Sequence, residues 1–398
     1  MIKGATILYM SATDWTYAWH GPQELALRMA RAGNRVVYVE PLGWRRPRLF
    51  DAGRIAGRVR RALSRSARTH AAAPDPNLRI VSPLLIPGAR SRAGTAVNRR
   101  LLLRQIASHL DDRGDGPLVL WQYTPTRLAA DLVGAFGEDL ALYHCTQGHA
   151  HRPFAPPDTA LVERELMERS AMVVVDGIRL FEERAPLHPH VYRVPSGVNP
   201  GSHLDAELPG WMRALPRPVL GYMGSVDHRL DIDLLMETAM AFPQGSLVVV
   251  GPVTDVNVSA LGALPNVHLT GHVPVDEVPG VLAGFDVGLM PYADQPMTPY
   301  TYPAKLHQYL AAGLPIASTP LPDLADFPGM AEQGDRGDGF IDAVRRALAS
   351  DVEPAERRAV AAANTWEARA EAMSALLEAG LAGAPPASSA DFRPEVRR

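Results

Sequence analysis

The chain has 398 residues, of which 46% are hydrophobic and 21% charged, and its formal net charge is −3. This length suits two domains with one core each, and the composition excludes a disordered or collagen-like chain. No apolar run approaches the roughly 18 residues of a membrane-spanning helix, and the first residues lack a secretory signal, so we expect a cytoplasmic protein. The single cysteine, Cys145, excludes an internal disulfide, and no Cys/His spacing predicts a metal site.

Charge is distributed unequally along the chain. Residues 1–200 carry a net charge of +9 and residues 201–398 a net charge of −12. Segment 53–70 contains six arginines and no acid, which is typical of a mobile solvated arm; a peripheral membrane contact through an amphipathic helix is the alternative. We expect no nucleic-acid partner. Arginine outnumbers lysine 38 to 2, so the internal Lys305 indicates a place where a compact ammonium group is preferred to a guanidinium.

Short β-rich runs alternate with helix-length amphipathic segments in the first half, which is the pattern of a parallel sheet with crossover helices. The segment 22–33 predicts a helix with Pro22 near its start and Gly33 past its end, as helix punctuation predicts. The predicted strands are residues 5–10, 35–39, 78–81, 117–121, 140–144, 171–175 and 191–195.

The same alternation begins again in the second half, after a Pro- and Gly-containing interruption at 198–211. Its predicted strands are residues 218–223, 246–251, 266–271, 285–291 and 314–319, and only helices are predicted after about residue 338. We therefore predict an α/β fold with two Rossmann-like, doubly wound parallel-sheet domains that face a central cleft. The predicted divisions are an N-terminal domain at 1–200, a C-terminal domain at 201–365, a helix at 366–383 that crosses back to the first domain, and a disordered tail at 384–398.

The loop after the first strand contains no GxGxxG, so a nicotinamide-dependent oxidoreductase is disfavoured. Ligands of open parallel sheets bind beyond the carboxyl ends of the strands. Here that position holds Trp15, Trp19, His20 and Gly21, whose aromatic faces and polar rim suit an acceptor ring. For the two tryptophans, a place in the core is an equally good interpretation.

The segment at 297–315 has the features of an anion site. Pro303 fits the first turn of a helix, and Tyr302 before it is a poor cap, so first-turn N–H groups stay available. Lys305 adds a positive charge suited to a diphosphate, and Gln308 lies on the same side of the helix, where its amide can bind ribose hydroxyls. The alternative is a lysine whose stem covers a surface helix.

Small residues follow the first strand of the second half. Gly224 and Ser225 allow a ligand to come near the backbone, and Arg229 is within reach of a phosphate. An ion pair with Asp227 or Asp231 is the alternative role for this arginine.

Two further turns also end strands in this half. We expect them to approach a nucleotide base through Gly251 and Val253 in one turn and Gly271 and Val273 in the other.

At this point the sequence resembles a known family. The second half is similar to retaining GT-B glycosyltransferases of family four, through GYMGS, VVVGPV, NVHLTGHVP, FDVGLMPY and YPAKLHQYLAAGLPIAST, which occur in that order. RVPSGVN resembles the segment that joins the domains, and the first half is more loosely similar, through DWTYAWHGPQELALRMARAGNRVVYVEP and LALYHCTQGH. The resemblance implies a GT-B fold and a nucleotide-diphosphate-sugar donor, of UDP or GDP type, without a metal or other cofactor. It says little about the acceptor.

The resemblance also implies donor contacts for particular residues. These are Gly224, Arg229, Gly251, Gly271, Tyr302, Ala304, Lys305 and Gln308.

This sequence departs from the family pattern at two places. Many members have two glutamates separated by seven residues where this chain has Tyr300 and Gln308, so Tyr300 or Thr301 would have to position the donor sugar. Acidic residues common after the fifth strand are replaced by 146–148, of sequence TQG. His149 is then our candidate for a polar group near the reacting carbon, with a loop histidine of no role as the alternative.

The resulting functional hypothesis is a retaining glycosyltransferase in which Lys305 and Arg229 stabilise the leaving diphosphate. A natural product and a cell-surface glycan or lipid precursor are both open as acceptors, and the oligomeric state is not indicated. Two alternatives keep the same fold: a catalytically degenerate nucleotide-binding partner protein and a nucleotide-sugar epimerase.

Overall fold

The computed structural model describes residues 1–16, 19–42, 73–89, 91–111, 113–153, 155–203, 206–274 and 276–384. The predicted basic arm at 53–70 and residues 385–398 of the predicted tail lie outside the described residues. The chain divides into two compact units. Unit 1 comprises Met1–Pro195 and a C-terminal segment that begins at Arg369, and unit 2 comprises Ser196–Ala368.

Unit 1 is built on a seven-stranded, wholly parallel sheet of order β3-β2-β1-β4-β5-β6-β7. Its central strands are nearly continuous apolar runs because helices cover both faces of such a sheet. The strands are β1 Thr6–Met10, β2 Arg35–Val39, β3 Leu78–Val81, β4 Leu118–Gln122, β5 Leu140–Cys145, β6 Met172–Val175 and β7 Val191–Arg193. The strand order reverses direction between β1 and β4, which is where ligands of doubly wound sheets bind.

The helices of unit 1 pack their apolar stripes on this sheet. In the first of them, Leu25 and Met29 are buried one turn apart, as the helical period requires. The helices are α1 Gly21–Arg31, α2 Arg92–Leu110, α3 Arg127–Leu132, α4 Thr159–Arg169 and α5 Ile178–Arg184.

Unit 2 is built on a six-stranded parallel sheet of order β10-β9-β8-β11-β12-β13. Its strands are β8 Val219–Met223, β9 Ser246–Val250, β10 Val267–Gly271, β11 Val287–Met290, β12 Ile316–Ser318 and β13 Glu332–Gln333. All twelve predicted strands are present, and β13 was missed because two polar residues carry no strand signal. The direction of the strand order reverses between β8 and β11.

The remaining helices are α6 Ile232–Ala241, α7 Ser259–Gly262, α8 Val278–Ala283, α9 Ala304–Ala312, α10 Asp338–Leu348, α11 Pro354–Ala363 and α12 Trp366–Leu381. Most of α12 belongs to unit 1, where Gly380 lies so close to Met172 and Leu140 that a Cβ atom on it would be 2.5 Å from the Met172 Cε. Across the described ranges, none of the helices has the length and apolar character needed to cross a bilayer.

Candidate functional site

The sheet of unit 2 opens at the carboxyl ends of β8 and β11. These strands pair only through Leu220 and Gly221 of β8. Beyond that point the hydroxyl of Tyr309, from α9, lies between them: it accepts from the Met223 N–H at 3.0 Å and donates to the Leu289 carbonyl at 3.2 Å. A side chain therefore replaces strand pairing where the strand order reverses, and the start of α9 is held beside the opening.

The start of α9 has an unused hydrogen-bond donor. Pro303 is the N-cap residue and contributes no side-chain cap. The Ala304 N–H donates to the Tyr302 carbonyl and the Leu306 N–H donates to the Pro303 carbonyl, both at 2.9 Å. The Lys305 N–H has no hydrogen-bond partner among the residues that the structure describes. Among the described residues, the helix start that we predict to bind an anion therefore offers the Lys305 amide rather than a full turn of free amides.

The Lys305 ammonium lies between two tyrosine rings, 5.1 Å from the ring centroid of Tyr222 and 5.8 Å from that of Tyr292. Within the described parts of the chain it forms neither an ion pair nor a hydrogen bond. Its side chain passes over Gly224, where a Cβ atom would come within 2.3 Å of the Lys305 Cε and where the backbone φ of +140° favours glycine. Burial, with a smaller contribution from the nearby Arg229, lowers the pKa of Lys305 to about 8, and the Asp227 carboxylate opposes the shift. The site holds a desolvated cation without a counter-ion.

Arg229 is held by Asp227. The Arg229 Nε donates to Asp227 Oδ1 at 2.8 Å and Nη2 donates to Oδ2 at 2.5 Å, in the bidentate arrangement that guanidinium favours. Burial opposes ionisation of Asp227, but the hydrogen bonds from Arg229 prevail and lower the pKa of the carboxyl. Asp231, the other partner considered from the sequence, caps α6 and pairs with Arg336 at 2.6 Å. Arg229 therefore stands near Lys305 with its charge already partly compensated.

Three strand ends meet closely around this site. A Cβ atom on Gly251 would lie 2.1 Å from the Gly224 carbonyl oxygen, and the Gly251 N–H donates to the Gly271 carbonyl at 2.8 Å. The Val253 side chain is 43% exposed, whereas Val273 packs against the core of unit 2. The structure thus brings the three predicted glycines together, with Val253 as the exposed apolar group beside them.

The residues before α9 are mostly buried. The Tyr302 hydroxyl shares a 2.8 Å hydrogen bond with His307 Nε2, and the two rings stack. Tyr300 is also buried, and the Thr301 hydroxyl donates to the Met297 carbonyl at 3.2 Å. His307 is completely buried, and sequence reasoning missed this tyrosine–histidine pair that seats the helix start.

Three further predicted donor residues are accessible around the same helix start. Ala304 and Gln308 are exposed on α9. Ser225 is partly exposed, and its backbone carbonyl accepts from the Tyr222 hydroxyl at 2.8 Å.

Unit 1 has a pocket of about 70 Å³, which opens to solvent, beyond the carboxyl ends of β1, β2, β4 and β5. It contains His149, which is 2% exposed. Burial lowers the pKa of His149 to about 4, so its ring is neutral near pH 7. The other polar residues of the lining are Ser11, Gln122, Thr124, Thr126, Gln147 and Arg152, which sequence reasoning did not select.

A buried polar network supports one side of this pocket. Glu163 accepts from Arg184 at 3.2 Å and from the Tyr143 hydroxyl at 2.9 Å. The Cys145 thiol donates to the Gln147 carbonyl at 3.3 Å, and burial raises the pKa of this thiol. Cys145 is therefore a structural residue and not a nucleophile.

The predicted acceptor tryptophans do not line this pocket. Trp15 is half-buried, with its ring edge-to-face against Tyr38 at 4.9 Å and against Trp19 at 5.2 Å. Trp19 is 41% exposed, and its indole N–H donates to Glu24 at 2.7 Å. Trp15 is thus partly a packing residue, whereas Trp19 presents a free face at the surface.

His20 and Gly21 begin α1. The His20 N–H donates to the Gln23 side chain at 3.2 Å, and the His20 carbonyl accepts the first bonds of the helix, so this histidine is the N-cap residue. Gly21 is the first helical residue and, like His20, lies outside the pocket lining.

Among the residues with described positions, no group of three or more His, Cys, Asp or Glu side chains is arranged to hold a metal ion.

Comparison with known proteins shows similarity to glycosyltransferases. Residues 217–351, which contain the site of unit 2, match the family model described as Glycosyl transferases group 1. A solved glycosyltransferase involved in avilamycin A biosynthesis superposes with a TM-score of 0.57 at 15% identity, covering 96% of this chain and 98% of that one. Anabaena Alr3699/HepE, solved with UDP and glucose, gives a TM-score of 0.62 at 10% identity over 95% and 100% of the two chains. The fold is that of GT-B glycosyltransferases, and residues 217–351 are similar to Glycosyl transferases group 1.

Two relatives are more similar in sequence. The chain is 34% identical over 158 residues to a protein of Bacillus subtilis (strain 168) named as a teichuronic acid biosynthesis glycosyltransferase, which covers 37% of this chain and 40% of that protein. It is 26% identical over 335 residues to the 2-deoxystreptamine glucosyltransferase of Streptomyces kanamyceticus, which covers 76% and 82%. The chain thus matches only two fifths of the first relative. The predicted GT-B fold and the resemblance to glycosyltransferases are confirmed; retention remains a prediction.

Proposed function

We propose that this protein is a glycosyltransferase that binds a nucleotide-diphosphate sugar at the Lys305 site of unit 2 and transfers the sugar, with retention, to an acceptor bound in the pocket of unit 1. The observation that carries the proposal is the Lys305 ammonium: it is desolvated, has no counter-ion in the described structure and lies beside a free amide at a helix start. A diphosphate supplies the charge that such a group lacks.

The same groups suit the chemistry of the leaving group. As the bond to the anomeric carbon breaks, positive charge develops on the sugar and negative charge on the diphosphate. Lys305, its own N–H and Arg229 stabilise that negative charge at fixed positions, so the proposed mechanism uses protein cations where other transferases use a metal ion. In this step, part of the Arg229 guanidinium donates to a phosphate oxygen instead of to Asp227.

The two relatives support a transferase and differ in what their names say they act on. One is named for an acidic polymer and the other for a diamine, 2-deoxystreptamine. For this chain we propose a hydroxylated acceptor, either a natural product or a cell-surface glycan or lipid precursor.

A thermal-shift screen of UDP, GDP, TDP and their sugars tests donor binding, because a ligand that binds only the native state raises Tm. We expect one nucleotide series to stabilise the protein. Lys305→Met should abolish the shift and lower turnover by about 10- to 1,000-fold, whereas Lys3→Met, at the only other lysine, serves as the matched control and should change neither. An undiminished shift in the Lys305 variant would remove the diphosphate assignment.

Three further measurements test metal independence, retention and the alternative functions. Turnover that persists in EDTA supports metal-independent transfer, and the anomeric configuration of the product, read by NMR, tests retention. Incubation with the donor alone separates the alternatives: an epimerase alters the nucleotide sugar without an acceptor, and a degenerate binding protein leaves it unchanged with every acceptor tried.

A further inference from the structure

The pocket of unit 1 contains a buried amide with one unused hydrogen-bonding atom. Gln122, the last residue of β4, lines the pocket and is 1% exposed. Its Nε2 donates to the Ala129 carbonyl at 3.1 Å, which fixes the orientation of the amide. Its Oε1 is buried and has no hydrogen-bond partner in the part of the chain that the structure describes. A buried acceptor left without a donor costs about 1–3 kcal/mol, so a donor that enters the pocket is favoured at this atom.

The rest of the lining suits a hydroxylated ring. Thr124 and Gln147 add neutral donors and acceptors, and Met10 and Leu42 add apolar surface. A concave site with a few polar groups among apolar ones binds a ring by its face and orients it by its hydroxyls.

The charges of the lining disfavour a ring that carries an ammonium group. Arg152 is cationic and His149 is neutral, and the described lining includes no carboxylate. The nearest acid of the supporting network, Glu163, is already bonded to Arg184. An ammonium group that entered this pocket would lose its hydration without gaining a counter-ion, which is costly.

We propose that the pocket binds an uncharged or anionic hydroxylated ring, with a ligand hydroxyl donating to Gln122 Oε1, and that it discriminates against rings that carry ammonium groups. This inference rests on the proposed function and narrows its acceptor. Of the substrates named for the two relatives, it favours the acidic sugar polymer over the diamine.

Four probes test the charge preference: methyl glucoside, its C6 carboxylate (the glucuronide), its C6 amine, and 2-deoxystreptamine. The first three differ only at C6. Their dissociation constants are measured by NMR titration at pH 7, with and without saturating UDP. We expect the glucoside and the glucuronide to bind at least about tenfold more tightly than either amine. Equal or tighter binding of the amines, or no binding of any glycoside, would overturn the proposal.

Two variants test the hydrogen bond. Gln122→Leu keeps the volume but removes the acceptor and should weaken the glucoside and the glucuronide about tenfold each. Gln122→Glu keeps the shape of the amide; once it is ionised it should bind the C6 amine more tightly and the glucuronide more weakly than the wild type does. Asn98→Ala is the control, because Asn98 is a buried amide of unit 1 whose side chain, among the described residues, bonds to the Ile86 backbone and lies outside the pocket lining. It should leave all four dissociation constants unchanged.

Nucleotide binding is measured on the same variants. Gln122→Leu should retain the full thermal shift with UDP or the preferred nucleotide, because that site lies in unit 2. Glycoside binding that survives while nucleotide binding fails would refute the proposed transferase and leave the pocket assignment standing. The reverse outcome, or unchanged glycoside affinity in Gln122→Leu, would refute the pocket assignment alone.

Discussion

Lys305 and Arg229 are neighbouring cations that differ in how their charges are compensated. Arg229 has a bidentate carboxylate partner, so its charge is compensated before any ligand arrives. Lys305 lies over the bare backbone of Gly224 and between two aromatic rings, a slot that suits a narrow stem with a compact charge. A planar guanidinium needs more room, which explains a lysine in a chain that otherwise uses arginine.

Donor affinity should depend on pH through Lys305. Its pKa in the free protein is about 8, and the tyrosines on either side, Tyr222 and Tyr292, have pKa values raised by burial and stay neutral. A bound diphosphate raises the lysine pKa. Affinity should therefore be constant below about pH 7 and fall as pH rises through 8, with proton uptake on binding near pH 8.

Calorimetry in two buffers of different ionisation enthalpy, with the nucleotide sugar of largest thermal shift, measures both effects. Lys305→Met should abolish the pH dependence and the proton uptake. His149 adds nothing between pH 6 and 8, because burial keeps its pKa at about 4. Affinity that stays constant up to pH 9 in the wild type would contradict the assignment.

At the scale of secondary-structure elements, α9 is positioned from within the sheet. Tyr309 packs on β11 at Gly288, where a Cβ atom would be 2.6 Å from the Tyr309 ring, and its hydroxyl joins β8 to β11 beyond the last paired residues. One side chain thus both spaces the two strands and fixes the helix that carries Lys305. The sequence motif supplies the helix, and this contact supplies its position.

Tyr309→Phe should remove the hydrogen bonds that join α9 to β8 and β11. It leaves the buried Met223 N–H without its acceptor, so we expect a loss of about 1–3 kcal/mol in the stability of unit 2 and weaker nucleotide binding. Tyr143→Phe, which removes a buried hydroxyl bond to Glu163 in unit 1, is the control and should destabilise without changing nucleotide affinity. Denaturation curves and nucleotide titrations measure the two effects; equal nucleotide affinities in the two variants would contradict a positioning role.

At the scale of the whole molecule, α12 begins in unit 2 and contributes most of its length to unit 1. Within unit 2, the first and last segments pair: the Val198 N–H donates to the Asn364 carbonyl and the Trp366 N–H donates to the Val198 carbonyl, both at 3.1 Å. From Arg369 onward α12 belongs to unit 1, and Leu377 is fully buried there. Sequence-distant segments therefore share one core.

Leu377→Ala should accordingly destabilise unit 1 by about 2–5 kcal/mol, the usual cost of a cavity at a buried leucine. Hydrogen exchange should accelerate in β5 and β6 and stay unchanged in β8 and β9. Leu161→Ala, at a leucine of unit 1 that is 65% exposed, should have little effect. Faster exchange confined to unit 2 in the Leu377 variant would show that the helix stabilises the other core.

The sequence by itself determined what depends on near neighbours along the chain. Apolar runs and helical periods predicted twelve of the thirteen strands that the described ranges contain, together with the parallel class, and Pro303 predicted the start of α9. The scarcity of lysine pointed to Lys305. These signals are readable because strand alternation, capping and composition act over a few residues.

Only the tertiary structure decided what depends on residues far apart in sequence. It chose Asp227 over Asp231 as the partner of Arg229, and it placed the Lys305 side chain on Gly224. It also left Oε1 of the Gln122 side chain without a partner among the described residues, in a pocket that no motif marked. Hydrogen-bond satisfaction, desolvation and steric fit are properties of the packed neighbourhood, and a chain acquires that neighbourhood only on folding.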